Sequence, residues 1–353
     1  MKKLGFGLVA LALVSIAVWL TSQAKLPLIT PFWRSHPDLR DKLSQKKSLS
    51  ASLDNSRSVQ IESLSGRLKY LVYNFETGRV YAAREQAAAI APASFTKLLT
   101  VQVALDVASS SALLKATDAS VNKEPTVLGL KAGEQLTLTE LLRASIATSA
   151  NDAAATIGEG VAASYGQERD FFIDLMNQKA AILGMAKSHF ANPEGYDHPS
   201  QFSTLDDLAK LVNNSLSNYP LILAAAAGNR EDITATMMHG QYYLPNWNGL
   251  LNVYPGVDGL KIAYTQAAGY STIVTAVRGG VRVVAILVGA DSILERDRAA
   301  GNLLDAAFII EKQRPINLGK TALDRRYKEW SDLAAKIKAE LADLAATAST
   351  DKR

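Results

Sequence analysis

Polar positions are almost absent from the start of the chain: after Met1-Lys2-Lys3 no charge appears from Leu4 to Ala24. A positive start, an apolar core over Leu4–Leu20 and the small residues of Ser22-Gln23-Ala24 follow the order of an export signal. At about 1.5 Å per residue such a helix also reaches across a bilayer, so a cleaved signal and a retained anchor both remain open for residues 1–24. From Lys25 to about Ser58 the pattern turns Pro-, Ser- and charge-rich without a sustained apolar period, which reads as a tether. Two short runs, Leu68–Asn74 and Arg79–Ala82, then flank Glu76-Thr77-Gly78 as a strand pair. Ala93 to about Asn218 is Ala- and Leu-rich at helical spacing, whereas Ser271–Val277 and Val281–Val288 are β-branched runs joined by Gly279-Gly280. Strands enclosing helices predict one α/β (α+β) body over residues 59–313, with an antiparallel sheet flanked by helices and an all-helical subregion. After Pro315, Leu323, Tyr327, Trp330, Ala334, Ile337, Leu341 and Leu344 alternate spacings of four and three. That stripe predicts an amphipathic helix over 320–346, for which packing on its own domain, a coiled-coil partner and a membrane surface all stay open.

Composition narrows the function. Lys plus Arg number 38 against 34 Asp plus Glu, leaving +4, too even for a protein held to nucleic acid by phosphate neutralisation. With no cysteine among 353 residues, disulfides, thiolate zinc sites, iron–sulfur clusters and cysteine nucleophiles are excluded. The four histidines show no helical ligand pair, and Arg314 stands where a phosphate loop ending in Gly319-Lys320-Thr321 needs its first glycine. Neither a metal nor a nucleotide cofactor is expected.

A serine three residues ahead of a lysine on a helix places hydroxyl and amine on one face, where the amine can take the hydroxyl proton. The spacing recurs along the chain, as in Ser22/Lys25, Ser44/Lys47, Ser94/Lys97 and Ser120/Lys123. Only Ser94 follows a helix-start proline, in Ala91-Pro92-Ala93, and opens an apolar helix running from Phe95 to Val107. Free backbone N–H groups at such a start favour an alkoxide. Lys97 can act as a base only if burial or a second nearby cation lowers its pKa.

The segment Ala91-Pro92-Ala93-Ser94-Phe95-Thr96-Lys97 resembles the nucleophile motif of the low-molecular-mass penicillin-binding proteins, the serine-type D-Ala-D-Ala carboxypeptidases. Ser149-Ala150-Asn151 is similar to their second motif, and Asn192-Pro193-Glu194-Gly195-Tyr196 to the segment after it. Tyr254–Lys261 with Ala267-Ala268-Gly269-Tyr270 resembles the third-motif strand and loop. The likeness runs from about Tyr70 to Phe308 and implies a β-lactamase/transpeptidase-like fold, peptidoglycan stem peptides as substrate, β-lactams as covalent inhibitors, and work outside the cytoplasmic membrane. It implies Ser94 as nucleophile, Lys97 as general base, and Ser149 as a bridge between Lys97 and Lys261 that passes a proton to the leaving D-alanine. Asn151 would bind the substrate backbone and the base lysine. Lys261 would lower the Lys97 pKa and attract the terminal carboxylate, and the N–H groups of Ser94 and Tyr264 would form the oxyanion hole.

One departure stands out. The family's Lys-Thr-Gly reads Lys261-Ile262-Ala263 here, losing a carboxylate-binding hydroxyl and adding a methyl at the strand edge. A hydrogen bond to a charged group contributes roughly 1.5–3 kcal/mol. Thr265, two residues along the same strand face, offers a replacement hydroxyl. The readings that remain are a carboxypeptidase, a degenerate muropeptide or β-lactam binder with little turnover, a D,D-endopeptidase and a β-lactamase-like hydrolase. Known members carry a β-rich domain after the catalytic one; with about 40 residues after Gln313, that domain is not expected.

Overall fold

The computed structural model describes residues 36–47, 52–56, 58–61 and 64–350, with side chains to residue 340. The apolar segment 1–24 lies outside the described residues, and among those described no helix is long and apolar enough to cross a membrane. The chain divides into units 1–42 and 43–353. Within the stretch read as a tether, a short helix forms instead, α1 (Pro37–Gln45). Proline at its first position suits a helix start, and Asp38 pairs with Lys42 one turn on. The sheet and the helices around it all belong to the second unit.

Five antiparallel strands form the main sheet in the order β2-β1-β9-β8-β7, that is β1 (Lys69–Asn74), β2 (Val80–Arg84), β7 (Val257–Thr265), β8 (Gly269–Arg278) and β9 (Val281–Ala290). The strands expected at both ends of the body therefore share one sheet, β1 pairing with β9 from Lys69↔Val288 to Asn74↔Val283. Gly279 and Gly280, both at positive φ, join β8 to β9 in the conformation a two-residue hairpin requires. β7 is left as a free edge, and it borders the site.

One face of the sheet packs on α9 (Ile293–Ile310) through Tyr70, Val72, Val274, Val283, Ala285 and Leu287 against Leu303, Leu304, Ala307 and Phe308. The other carries the helical region. There α2 (Thr96–Val107) is buried at every position except Leu105 and Asp106, as a helix apolar all round must be. Around it lie α4 (Leu138–Arg143), α5 (Asn151–Ser164), α6 (Arg169–Ile182) and α7 (Leu205–Asn218). Between them come the four-residue α3 (Asp118–Val121) and the pair β3 (Leu113–Lys115) and β4 (Gln135–Thr137). Tyr73 ties sheet to helices by donating to Asn213 Oδ1 at 2.8 Å. Beyond α8 (Pro220–Ala227), a hairpin of β5 (Arg230–Ile233) and β6 (Tyr242–Pro245) precedes β7.

The last helix, α10 (Lys320–Thr350), buries Leu323 fully in the core beneath α9. Tyr327, Trp330 and Ile337 of its stripe are half-buried, whereas Ala334 faces solvent.

Candidate active site

Ser94 sits in a single 3-10 turn, Ala93–Phe95, one step ahead of α2. The regular helix thus begins two residues after Ser94, at Thr96, rather than at Phe95 as the sequence pattern suggests. The turn is fixed from outside. Gly195, at φ +93°, passes so close that a Cβ there would lie 2.0 Å from the Ala93 carbonyl oxygen. Asn192 holds that glycine by accepting from the N–H groups of Gly195 and Tyr196 at 2.7 and 2.9 Å. No neighbouring loop among the described residues accepts from the Ser94 N–H.

One turn below, Lys97 is fully buried and its Nζ donates to Ser94 Oγ at 3.0 Å, to Asn151 Oδ1 at 2.7 Å and to the Glu194 carbonyl at 2.5 Å. Burial brings its pKa down to about 7, against the opposing pull of the Glu194 and Asp152 carboxylates. The cause differs from the expectation that Lys261 would do this. Burial of the Lys97 ammonium is the leading cause, and Lys261 has its own pKa held well below its usual value by burial, then by Lys97, then by Arg296. The Glu194 carboxylate that works against neutral Lys97 is itself paired with Arg169 at 2.8 Å and Lys123 at 3.2 Å.

Ser149 and Asn151 arrive from a strained junction. A π-helical turn, Ala144–Thr148, ends with Ser149 in the left-handed region at φ 65°, and α5 starts at Asn151. Such turns redirect a side chain at a cost the surroundings must offset. Ser149 lines the cleft with Ser94, but among the described residues no hydrogen bond joins its hydroxyl to Lys97 or Lys261, so the expected bridge is not formed here. Asn151 is committed at both ends, accepting from Lys97 and donating to the Glu124 carbonyl at 2.8 Å. Asp152 braces the same loop by accepting from the N–H groups of Leu128, Gly129 and Leu130.

β7 forms the opposite wall and packs against the Ala93–Phe95 turn. Lys261 is buried with its Nζ donating to the Ile262 carbonyl, whereas Ile262, Ala263, Tyr264 and Thr265 line the cleft. The Thr265 Oγ1 accepts from the Ala268 N–H at 3.1 Å across the β7–β8 turn, a contact that anchors the hydroxyl and leaves its proton free to donate. Tyr264 is more than half exposed, its ring 4.4 Å from that of Tyr270.

A cation that the sequence reasoning missed completes the cleft, whose volume is about 760 Å³. Arg296, on α9, is buried and borders it beside Lys261 while its guanidinium grips Asp297 at 2.7 and 3.0 Å. Nothing in the local sequence marks Arg296, since its role comes from α9 folding back under the sheet. A buried lysine with a lowered pKa therefore touches the serine hydroxyl while a buried arginine borders the same cleft, an arrangement suited to acyl transfer on a substrate carrying a carboxylate. Among the described residues no cluster of His, Asp and Glu could hold a metal ion.

Residues 57–292 match the family described as Peptidase S11, D-alanyl-D-alanine carboxypeptidase. A curated D-alanyl-D-alanine carboxypeptidase of Bacillus subtilis, DacF, is 29% identical over 68% of this chain and 62% of its own length. One of Mycobacterium tuberculosis is 34% identical over 62% of this chain and 74% of its own. The chain thus spans about six-tenths of the length of the Bacillus relative. Among solved structures, a D-alanyl-D-alanine carboxypeptidase from Mycobacterium tuberculosis superposes with TM-score 0.63 at 30% identity, covering 73% of this chain and 97% of that one. A Streptomyces DD-transpeptidase does so with TM-score 0.64 at 24% identity, covering 71% and 100%, which speaks to the fold alone.

Proposed function

The chain belongs to the D-alanyl-D-alanine carboxypeptidase family of serine peptidases, and from that premise we propose that it removes the terminal D-alanine from peptidoglycan stem peptides through a Ser94 acyl-enzyme. The observation that carries this reading is the fully buried Lys97 amine, 3.0 Å from Ser94 Oγ with its pKa brought to about 7.

In this scheme neutral Lys97 takes the Ser94 proton as Oγ attacks the carbonyl between the last two residues. The N–H groups of Ser94 and Tyr264 meet the oxyanion, each donor contributing about 2.7–4 kcal/mol in comparable sites. The proton then passes to the departing amine, either directly from Lys97 or through Ser149, which lines the same cleft. Breaking the peptide bond releases D-alanine and leaves an ester on Ser94. Water, deprotonated by Lys97, hydrolyses it. Asn151 holds the Lys97 amine in line, and Lys261 with Arg296 draws the terminal carboxylate. Arg296 thus supplies a charge for the role that the missing third-motif hydroxyl leaves weakened. The free edge of β7 offers the substrate backbone a strand to pair with. The apolar stretch at residues 1–24 supports placing this reaction outside the cytoplasmic membrane.

Incubation of the purified protein with a stem pentapeptide should release free D-alanine, and with labelled penicillin should place the label on Ser94; Ser94→Ala should lose both. Stable penicillin labelling without any D-alanine release would convert the reading to a binding protein. Labelling of another side chain would end it.

A further inference from the structure

We propose that Trp330 of the C-terminal helix, together with Trp247, closes the leaving-residue end of the cleft, so that only substrates with one small residue beyond the scissile bond fit. The inference rests on the carboxypeptidase reading and deepens it by assigning the residue that sets the leaving-group limit.

The cleft has a direction. Asn151, Glu194 and Tyr196 lie on the Lys97 side of Ser94, through the contacts of Lys97 with Asn151 and Glu194. Arg296 lines the cleft together with Ile293, one turn before it on α9, and its partner Asp297 accepts from Tyr327, three residues before Trp330. A terminal carboxylate drawn to Arg296 therefore brings the leaving residue to the part of the cleft lined by Ile293, Trp247 and Trp330.

That end is walled by an indole held from several directions. Trp330 meets Trp247 edge to face at 5.7 Å and Tyr327 at 5.2 Å. Arg326 lies over the Trp330 ring at 5.6 Å and is fixed by donating to Asn229 Oδ1 at 2.7 Å. One turn back, Tyr327 donates to Asp297 Oδ2 at 2.9 Å, the carboxylate that grips Arg296. The helix is thus coupled to the carboxylate-binding cation as well as to the wall. Beyond Arg296, a second residue or a bulky side chain on the substrate meets these two packed aromatic rings. Crowding in a packed pocket discriminates by about ten-fold or more.

The test uses the full chain and two acylated tripeptides, one ending in D-Ala-D-Ala and one in D-Ala-D-Phe, and reads the ratio of kcat/KM for D-Phe release to that for D-Ala release. Trp330→Ala should raise the ratio about ten-fold or more, and Trp330→Leu, which keeps an apolar filler for folding, should raise it in the same direction. Lys328→Ala, on the exposed side of the same helix, should leave the ratio at the wild-type value. A ratio within about two-fold of wild type in either folded Trp330 variant overturns the inference, as does wild-type protein that releases both residues equally well. Release of neither amino acid by wild type overturns the carboxypeptidase reading and this inference with it. Ready D-alanine release with an unmoved ratio overturns this inference alone.

Discussion

At the scale of single residues, the reactive centre depends on keeping one ammonium deprotonated. Because only neutral Lys97 can accept the serine proton, the rate of penicillin acylation should be flat above pH ~7 and fall about ten-fold per unit below it. A rate independent of pH between about 5.5 and 8.5 would remove Lys97 as the base. The sign of a second effect follows from Glu194, whose negative charge favours the Lys97 ammonium and is offset by Arg169. Arg169→Gln should therefore move the acid limb of that profile to higher pH, a shift a purely structural role would not produce. On the strand edge, Ile262→Thr should raise kcat/KM for D-alanine release by about ten-fold or more, since a new hydroxyl there could bond the substrate carboxylate. The pairing of Ser94 with Lys97 was readable because three residues on a helix is a fixed geometry. Its decoy Ser120/Lys123 has the same spacing, yet Ser120 bonds Thr117 and Thr156 while Lys123 turns to Glu194.

Between residue and fold, elements meet at points where one atom too many displaces the chemistry. Gly195 is such a point: its positive φ and the 2.0 Å separation of a would-be Cβ from the Ala93 oxygen leave no room for a side chain. Gly195→Ala should destabilise the protein by roughly 2–4 kcal/mol, measured by urea unfolding, and should slow acylation by displacing the turn that carries Ser94. An unfolding midpoint equal to wild type would refute that clamp. Strands β8 and β9 were legible because β-branched runs and paired glycines leave few alternatives to a hairpin, whereas the short pairs β3–β4 and β5–β6 were not expected. The π-turn before Ser149 was not, since Ala144–Thr148 has the composition of an ordinary helix and is unwound by what surrounds it. The helix inside the stretch read as a tether was missed for a related reason, its two leucines, Leu39 and Leu43, being too few to show a period.

For the molecule as a whole, the C-terminal helix belongs to the same cooperative body as the sheet, because Leu323 is fully buried in the core that α9 makes with the strands. Leu323→Ala should cost about 2–5 kcal/mol and lower the thermal midpoint by several degrees in one transition. Loss of helix signal ahead of an unchanged main transition would show that the helix docks separately. By itself the sequence determined that strands at both ends enclose helices, the serine and its lysine, and the departure at Ile262-Ala263, since each is written in local spacing or residue identity. Only the tertiary structure decided that burial is what lowers the Lys97 pKa, that Arg296 borders the cleft, and that Trp330 reaches it. Those three depend on desolvation and on contacts between segments far apart in the chain, and a pattern of neighbours along the sequence carries neither.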